Sequence, residues 1–207
     1  MLTIWGMDYS SNVQKAVWAA AEVGLEFKRI DLAGKHGGNL EPVYLAKNPN
    51  GLVPTIQDGD FTLWESNAIV RYLARRYGVG TLEPTDALSC AVADQWMEWQ
   101  VTVLGPAIYD AYVGLRRTAP EQRDATKIAA SQAKTIEKMK MLEARLEKSA
   151  FVAGNDFSMG DIPVGIMTRR FLTVVPERPS FRCIEAWYGK IQARAPFRTY
   201  IESVPLI

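Results

Sequence analysis

Asn48-Pro49-Asn50-Gly51-Leu52-Val53-Pro54-Thr55-Ile56 and, past one turn, Leu63-Trp64-Glu65-Ser66-Asn67-Ala68-Ile69 decide how this chain folds. Proline cannot donate to a strand ladder, so Val53-Pro54 at the start of a strand predicts a tight turn with a cis bond. Such a turn leaves the N–H and C=O of Val53 facing outward. Asp58-Gly59-Asp60 separates residues 53–57 from 61–64, and an Asp-Gly step between alternating segments predicts a two-stranded hairpin. Glu65 and Ser66 then lead into Ile69, Val70, Leu73 and Ala74 at helical spacing, a helix that should end near Gly78 and Gly80.

Working back toward the N-terminus, Leu2 to Trp5 reads as a strand and Val13, Ala16, Val17, Ala20 and Val23 as a helix stopped by Gly24. Phe27 to Leu32 reads as a second strand, so the opening is a βαβ unit with a right-handed crossover. A glycine-rich loop, Gly34-Lys35-His36-Gly37-Gly38-Asn39, follows. Residues 1–78 therefore read as β-α-β, loop, β-β-α, and 79–86 as a linker.

From 87 to 207 the pattern is all helical. Leu88, Val92, Trp96 or Trp99, and Val103 mark one long helix, with a kink expected at Pro106. Ile136, Met139, Leu142 and Leu146 mark another. Ser158-Met159-Gly160-Asp161 predicts a capping box with Asp in place of Glu, and Pro163 is tolerated in the first turn that follows. A last helix is expected over roughly 181–193.

Almost half of the 207 residues are hydrophobic, and six Trp, eight Tyr and seven Phe supply a core. Lys plus Arg number 24 against 23 Asp plus Glu, a balance that gives no field for nucleic acid and favours small-molecule partners. Cys90 and Cys183 are isolated, which argues against a disulfide framework and a zinc site. One histidine, His36, leaves nothing for a metal pair or a Ser-His-Asp relay. No run reaches the roughly 18 apolar residues of a membrane helix, so a cytoplasmic protein without membrane partners is expected.

The chemistry concentrates at three places. The backbone of Val53 can pair with an extended peptide by strand augmentation. The free N–H groups after Glu65-Ser66 and the positive end of the helix dipole suit an anion, while Glu65 suits an ammonium. Together NPNGLVPTI and ESNAIVRYL resemble the cytosolic glutathione transferase family, strongly over 48–73, moderately over 1–32 and weakly from 87 onward. The resemblance implies a thioredoxin-like N-terminal α/β domain followed by an all-α domain. It also implies glutathione as co-substrate, with Leu52, Val53, Pro54, Glu65 and Ser66 holding the tripeptide and Lys35 or His36 its glycyl carboxylate. A homodimer is implied as well.

The third place is Tyr9-Ser10-Ser11-Asn12, before the first helix. A thiol with a pKa near roughly 8.5 is only slightly ionised at neutral pH. Lowering it by about two units takes roughly 2.7 kcal/mol. One hydrogen bond to a charged acceptor gives about 1.5–3 kcal/mol and a helix N-terminus about 0.3–1, so no metal or enzyme cysteine is needed. Members with an S-x-N pattern followed by a lysine point to Ser10 and Asn12. Members whose serine stands four residues before a basic residue point to Ser11, and tyrosine types to Tyr9. The reaction implied is attack of the glutathione thiolate on a hydrophobic electrophile. Alternatives are glutathione-dependent reduction of disulfides or peroxides, and a non-catalytic binding protein of the same fold. The helical domain is expected to form the electrophile pocket with Tyr109 or Tyr112, and Arg116, Arg117 and Arg123 could add charge. Asp161 resembles the family's capping aspartate, a stability role worth about 0.5–2 kcal/mol.

Overall fold

Four strands, β1 (Leu2–Trp5), β2 (Phe27–Ile30), β3 (Thr55–Asp58) and β4 (Phe61–Trp64), form one mixed sheet in the order β2-β1-β3-β4. The computed structural model describes residues 1–206. β1 and β2 are parallel because α1 (Ser11–Glu22) carries the chain back between them; the other pairs are antiparallel. Asp58 pairs with Phe61, leaving Gly59-Asp60 as the two-residue turn that the sequence predicts. α3 (Ser66–Tyr77) buries Ile69, Val70, Leu73 and Ala74 completely and packs against α1, whose Val13, Ala16 and Trp18 are equally buried. At roughly 1.5–3 kcal/mol for each large side chain withdrawn from water, this layer holds the sheet end in place.

β2 stops at Ile30, short of the expected Leu32. Ala33 already has φ 68, and the chain turns into a 3-10 turn over Gly34–His36. A short helix, α2 (Pro42–Leu45), occupies a stretch with no predicted element; its first-turn proline needs no hydrogen-bond partner there.

The chain divides into two compact units, one comprising Met1–Thr85 with Ala195–Pro205 and the other centred on Asp86–Arg194. The last turns thus pack with the sheet domain rather than with the helices before them. α9 (Ala195–Phe197) sets Phe197 edge-on to Trp18, with centroids 4.9 Å apart.

The second unit contains α4 (Ala87–Trp99), α5 (Gly105–Arg116), α6 (Ala125–Leu146), α7 (Asp161–Val174) and α8 (Arg182–Gln192). Between α4 and α5, Gln100–Leu104 is π-helical, and the N–H of Gly105 reaches back to the Gln100 carbonyl. The irregularity expected at Pro106 therefore sits just before it, where the missing proline N–H breaks the regular ladder. Leu88, taken from the sequence as a core position, is instead 80% exposed.

The capping-box expectation at Ser158 is half met. Ser158 N–H donates to Asp161 Oδ2 at 2.9 Å, but the Ser158 hydroxyl donates to the same carboxylate at 3.1 Å instead of accepting from the helix. Val152 N–H and Trp187 Nε1 donate to the other oxygen at 3.0 and 2.9 Å. No helix among the described residues is long and apolar enough to cross a membrane.

Candidate active site

Strand register brings the predicted site residues of the first unit to one end of the sheet. Ile30 pairs with Trp5, Trp5 with Thr55, and Thr55 with Trp64. Just past this row lie the loop to Lys35 and His36, the loop to Ser10, the turn at Val53-Pro54, and Glu65-Ser66. Gly6 lets two of these segments meet, since a Cβ there would lie 2.3 Å from Val13 Cγ2 and 3.0 Å from Val53 Cβ. Gly34 joins a third, because a Cβ there would lie 2.5 Å from Tyr9 Oη. Among the described residues, the two non-glycine residues with positive φ, Ala33 (68°) and Glu65 (72°), both stand at this end. Such backbone costs about 1–3 kcal/mol and marks functional segments.

The Val53-Pro54 bond is cis, as the sequence predicts. Behind it, Tyr44 Oη donates to the Leu52 carbonyl at 2.6 Å and lies 2.8 Å from Thr55 Oγ1. Asn48 Nδ2 donates to the same carbonyl at 2.8 Å, and Asn48 Oδ1 accepts from Asn50 N–H at 3.0 Å. Burial pushes the Tyr44 phenol up, against the pull of its bonds to Thr55 and Asn48. These contacts hold the turn from inside and leave Leu52 66% exposed. The N–H and C=O of Val53 enter no hydrogen bond among the described residues, so the face that could receive a peptide is open.

Glu65 is exposed and caps α3 with its carbonyl, which accepts from Ile69 N–H at 2.9 Å. Ser66 is 7% exposed. Its hydroxyl donates to Asn12 Oδ1 at 3.3 Å and accepts from Lys15 Nζ at 3.5 Å. Lys15 is 2% exposed, so a buried ammonium and the mouth of α3 set two positive features on one hydroxyl. Sequence reasoning did not assign roles to Lys15, Tyr44 or Asn48. The signal for Lys15 is its place on the apolar face of α1, between Val13 and Ala16–Val17, where a charge needs a partner.

Ser10 is the N-cap of α1, yet its side chain makes no capping bond, and Ser11 opens the helix. Ser10 N–H closes a turn onto the Met7 carbonyl at 3.2 Å. Lys35 and His36 are exposed, and His36 Nε2 lies 3.7 Å from Asp31 Oδ1. Asp31 is held below the usual carboxylate range chiefly by its hydrogen bond from Arg29, with His36 and Lys35 adding to the pull.

In the second unit, Tyr109 is 63% exposed and can meet a ligand. Tyr112 cannot as it stands. It is 2% exposed and has the Arg170 guanidinium 4.0 Å from its ring centroid. The expectation that Tyr112 lines a pocket is therefore corrected, since its ring faces inward from α5 against α7. Arg116 is spent on the carbonyl of Leu206, and Arg123 donates to the carbonyls of Leu115 and Thr118.

Comparison with known proteins follows the same division. Residues 1–75 match the family described as Glutathione S-transferase, N-terminal domain, and residues 92–195 match Glutathione S-transferase, C-terminal domain. Glutathione S-transferase GstB of Escherichia coli K12 is 38% identical over 97% of this chain and 98% of its own length. Glutathione S-transferase 3 of Zea mays is 30% identical over 99% and 95%. Among solved structures, the theta class glutathione S-transferase from Xanthomonas axonopodis pv. citri with glutathione bound is 39% identical. It superposes with a TM-score of 0.95 over 100% of this chain and 99% of that one. Because both domain families occur in order and the relatives are matched over nearly their whole length, the chain belongs to the glutathione transferase family.

Proposed function

We propose that this enzyme binds reduced glutathione at the sheet end and conjugates its thiolate to a hydrophobic electrophile. The observation that carries the reading is the Asn12–Ser66–Lys15 arrangement beside the unpaired backbone of Val53. Val53 pairs with the cysteinyl residue of the tripeptide, strand to strand. The γ-glutamyl carboxylate settles at the mouth of α3, where the Ser66 hydroxyl turns its proton from Asn12 to the ligand. Glu65 receives the γ-glutamyl ammonium, and Lys35 or His36 the glycyl carboxylate. Released from Ser66, Asn12 and the Ser10 hydroxyl stand free to stabilise the thiolate. The sulfur lone pair forms the new carbon–sulfur bond as the leaving group departs with its electrons, and no covalent enzyme intermediate is involved. Tyr109 supports an electrophile site on the helical unit. The family resemblance extends the reading to a cytoplasmic homodimer, and the relative with glutathione bound supports the ligand.

Calorimetric titration with reduced glutathione tests the binding, and turnover of chlorodinitrobenzene tests the transfer. Absence of glutathione uptake at millimolar concentration by folded protein overturns the proposal. Reduction of hydroxyethyl disulfide in place of conjugation reassigns the reaction to sulfur–sulfur exchange.

A further inference from the structure

Tyr112 is the one ring among the described residues that carries two guanidiniums. Arg170 of α7 lies 4.0 Å from its centroid, and Arg117, the residue that ends α5, lies 5.6 Å from it. All three residues belong to the second unit. Among the described residues neither guanidinium has a carboxylate within ion-pairing distance. The backbone acceptors at the end of α5 are taken as well. The Val113 carbonyl receives the N–H of Arg117 at 2.9 Å and the Thr118 hydroxyl at 3.1 Å, and the Leu115 carbonyl receives Arg123 at 3.1 Å. Arg116 and Arg123 thus have acceptors for their guanidiniums, whereas Arg117 meets only the Tyr112 ring.

A ring face attracts a cation, but two like charges gathered on one ring repel each other. Burial lowers the Arg170 pKa, and the charge of Arg117 adds to the fall. The arrangement is short of a negative charge. Arg170 Nε is sealed from solvent without an acceptor, but the residue as a whole is only half-buried, so a ligand meets the outer nitrogens of its fork. Arg117 is exposed. Tyr112, enclosed as it is, acts as the platform that holds both forks. Tyr109, three residues earlier on the same helix and 63% exposed, offers an aromatic surface beside them. A planar, two-oxygen anion matches the guanidinium fork, and an attached ring matches Tyr109. We propose that Arg117 and Arg170, held by Tyr112, anchor a carboxylate on the electrophile, so that the helical unit selects aromatic electrophiles that bear one over neutral ones. The selection in turnover rests on the function proposed above; the carboxylate binding does not.

Dinitrobenzoate and its neutral counterpart dinitrobenzene, neither of which has a leaving group for a thiolate, are the binding probes, titrated calorimetrically into the full chain without glutathione. Dinitrobenzoate is expected to bind the wild type at least about tenfold more tightly than dinitrobenzene, and Arg170→Met to abolish that margin. Arg117→Gln, at an exposed position, should weaken dinitrobenzoate about threefold, and added salt should weaken it while leaving dinitrobenzene unmoved. In turnover, chlorodinitrobenzoate and chlorodinitrobenzene both lose chloride to the thiolate. The ratio of their kcat/KM values should fall at least about tenfold in Arg170→Met, through the KM of the benzoate, and recover in part in Arg170→Lys. Dinitrobenzoate uptake no tighter than that of dinitrobenzene, or insensitive to both substitutions, overturns the subsite; if Arg170→Met does not fold, Arg117→Gln and the salt dependence decide. A kcat/KM ratio that stays unchanged while dinitrobenzoate binding is lost overturns the link to the electrophile. Dinitrobenzoate binding that needs both arginines, in a protein that turns over neither chloro compound, strikes the proposed function and spares the subsite.

Discussion

The hydroxyl of Ser66 donates to Oδ1 of Asn12 at 3.3 Å, joining the mouths of two helices across 54 residues of sequence. The group that receives the glutamyl carboxylate and a group that stabilises the sulfur are therefore one hydrogen-bonded unit. Ser66→Ala should weaken glutathione binding about ten- to hundredfold, the worth of a hydrogen bond to a charged group. Asn12→Ala should chiefly raise the pKa of the bound thiol. Because the residues touch, the double variant should depart from additivity by about 0.5–3 kcal/mol. Calorimetry and thiolate absorbance on the four proteins of the cycle give the measurement, and strict additivity would disprove the coupling.

Ser10 occupies a capping position without making a capping bond, which separates function from stability there. Ser10→Ala should leave the unfolding free energy nearly unchanged while raising the pKa of the bound thiol by about one to two units. Asp86→Ala and Asp124→Ala offer the contrast. Their carboxylates accept from Ser89 N–H at 2.8 Å and Lys127 N–H at 2.9 Å, so each should cost about 1 kcal/mol in urea unfolding without touching the thiol. A Ser10→Ala variant as destabilised as these, with normal thiol ionisation, would make Ser10 a structural residue.

The carbonyl of Leu52 is held by two donors, Tyr44 Oη at 2.6 Å and Asn48 Nδ2 at 2.8 Å. Tyr44→Phe removes one and leaves the carbonyl satisfied, so its cost should be about 1 kcal/mol. Asn48→Ala should cost more, about 2–3 kcal/mol, because Asn50 N–H also loses its acceptor. Both should raise the dissociation constant of glutathione severalfold with the thiol pKa unaltered, since the loosened segment presents the backbone of Val53 and not the activating hydroxyl. Equal effects on the thiol pKa would show that the two halves of the site are not separable.

Short-range chemistry made most of the first domain readable. Asp58-Gly59 specifies its turn, Val53-Pro54 its cis bond, and Ile69, Val70, Leu73 and Ala74 are all fully buried as their spacing requires. What escaped depends on contacts distant in sequence. Along α4 the buried positions are Ala93, Met97 and Trp99, a face turned inward by the packing of α7 and not by the apolar spacing that starts at Leu88, which is exposed. The tie of Lys15 to Ser66 arises only when α1 packs on α3, and no spacing along the chain shows it. Tyr112 looked like any ligand-facing aromatic, and only the placement of Arg170 from α7 shows that its ring is enclosed.

Asp161 carries the largest stability effect expected in the second unit. Its carboxylate is fully buried and gathers donors from Val152, Ser158 and Trp187, so Asp161→Ala orphans several groups at once. The cost should be about 3–5 kcal/mol, above the range of a simple cap. Burial nevertheless outweighs those donors and pushes its pKa from 3.8 to about 6. The folded state then holds the proton more tightly than the unfolded chain does. Stability from this group is full below pH 4 and declines as pH rises through about 6, by about 3 kcal/mol in all. Asp161→Asn, which cannot ionise, should flatten that decline. Chemical denaturation of both proteins between pH 4 and 7 reads the difference directly, and a wild-type stability that instead climbs with pH relative to Asp161→Asn would mean that the four donors, not burial, set the charge of Asp161.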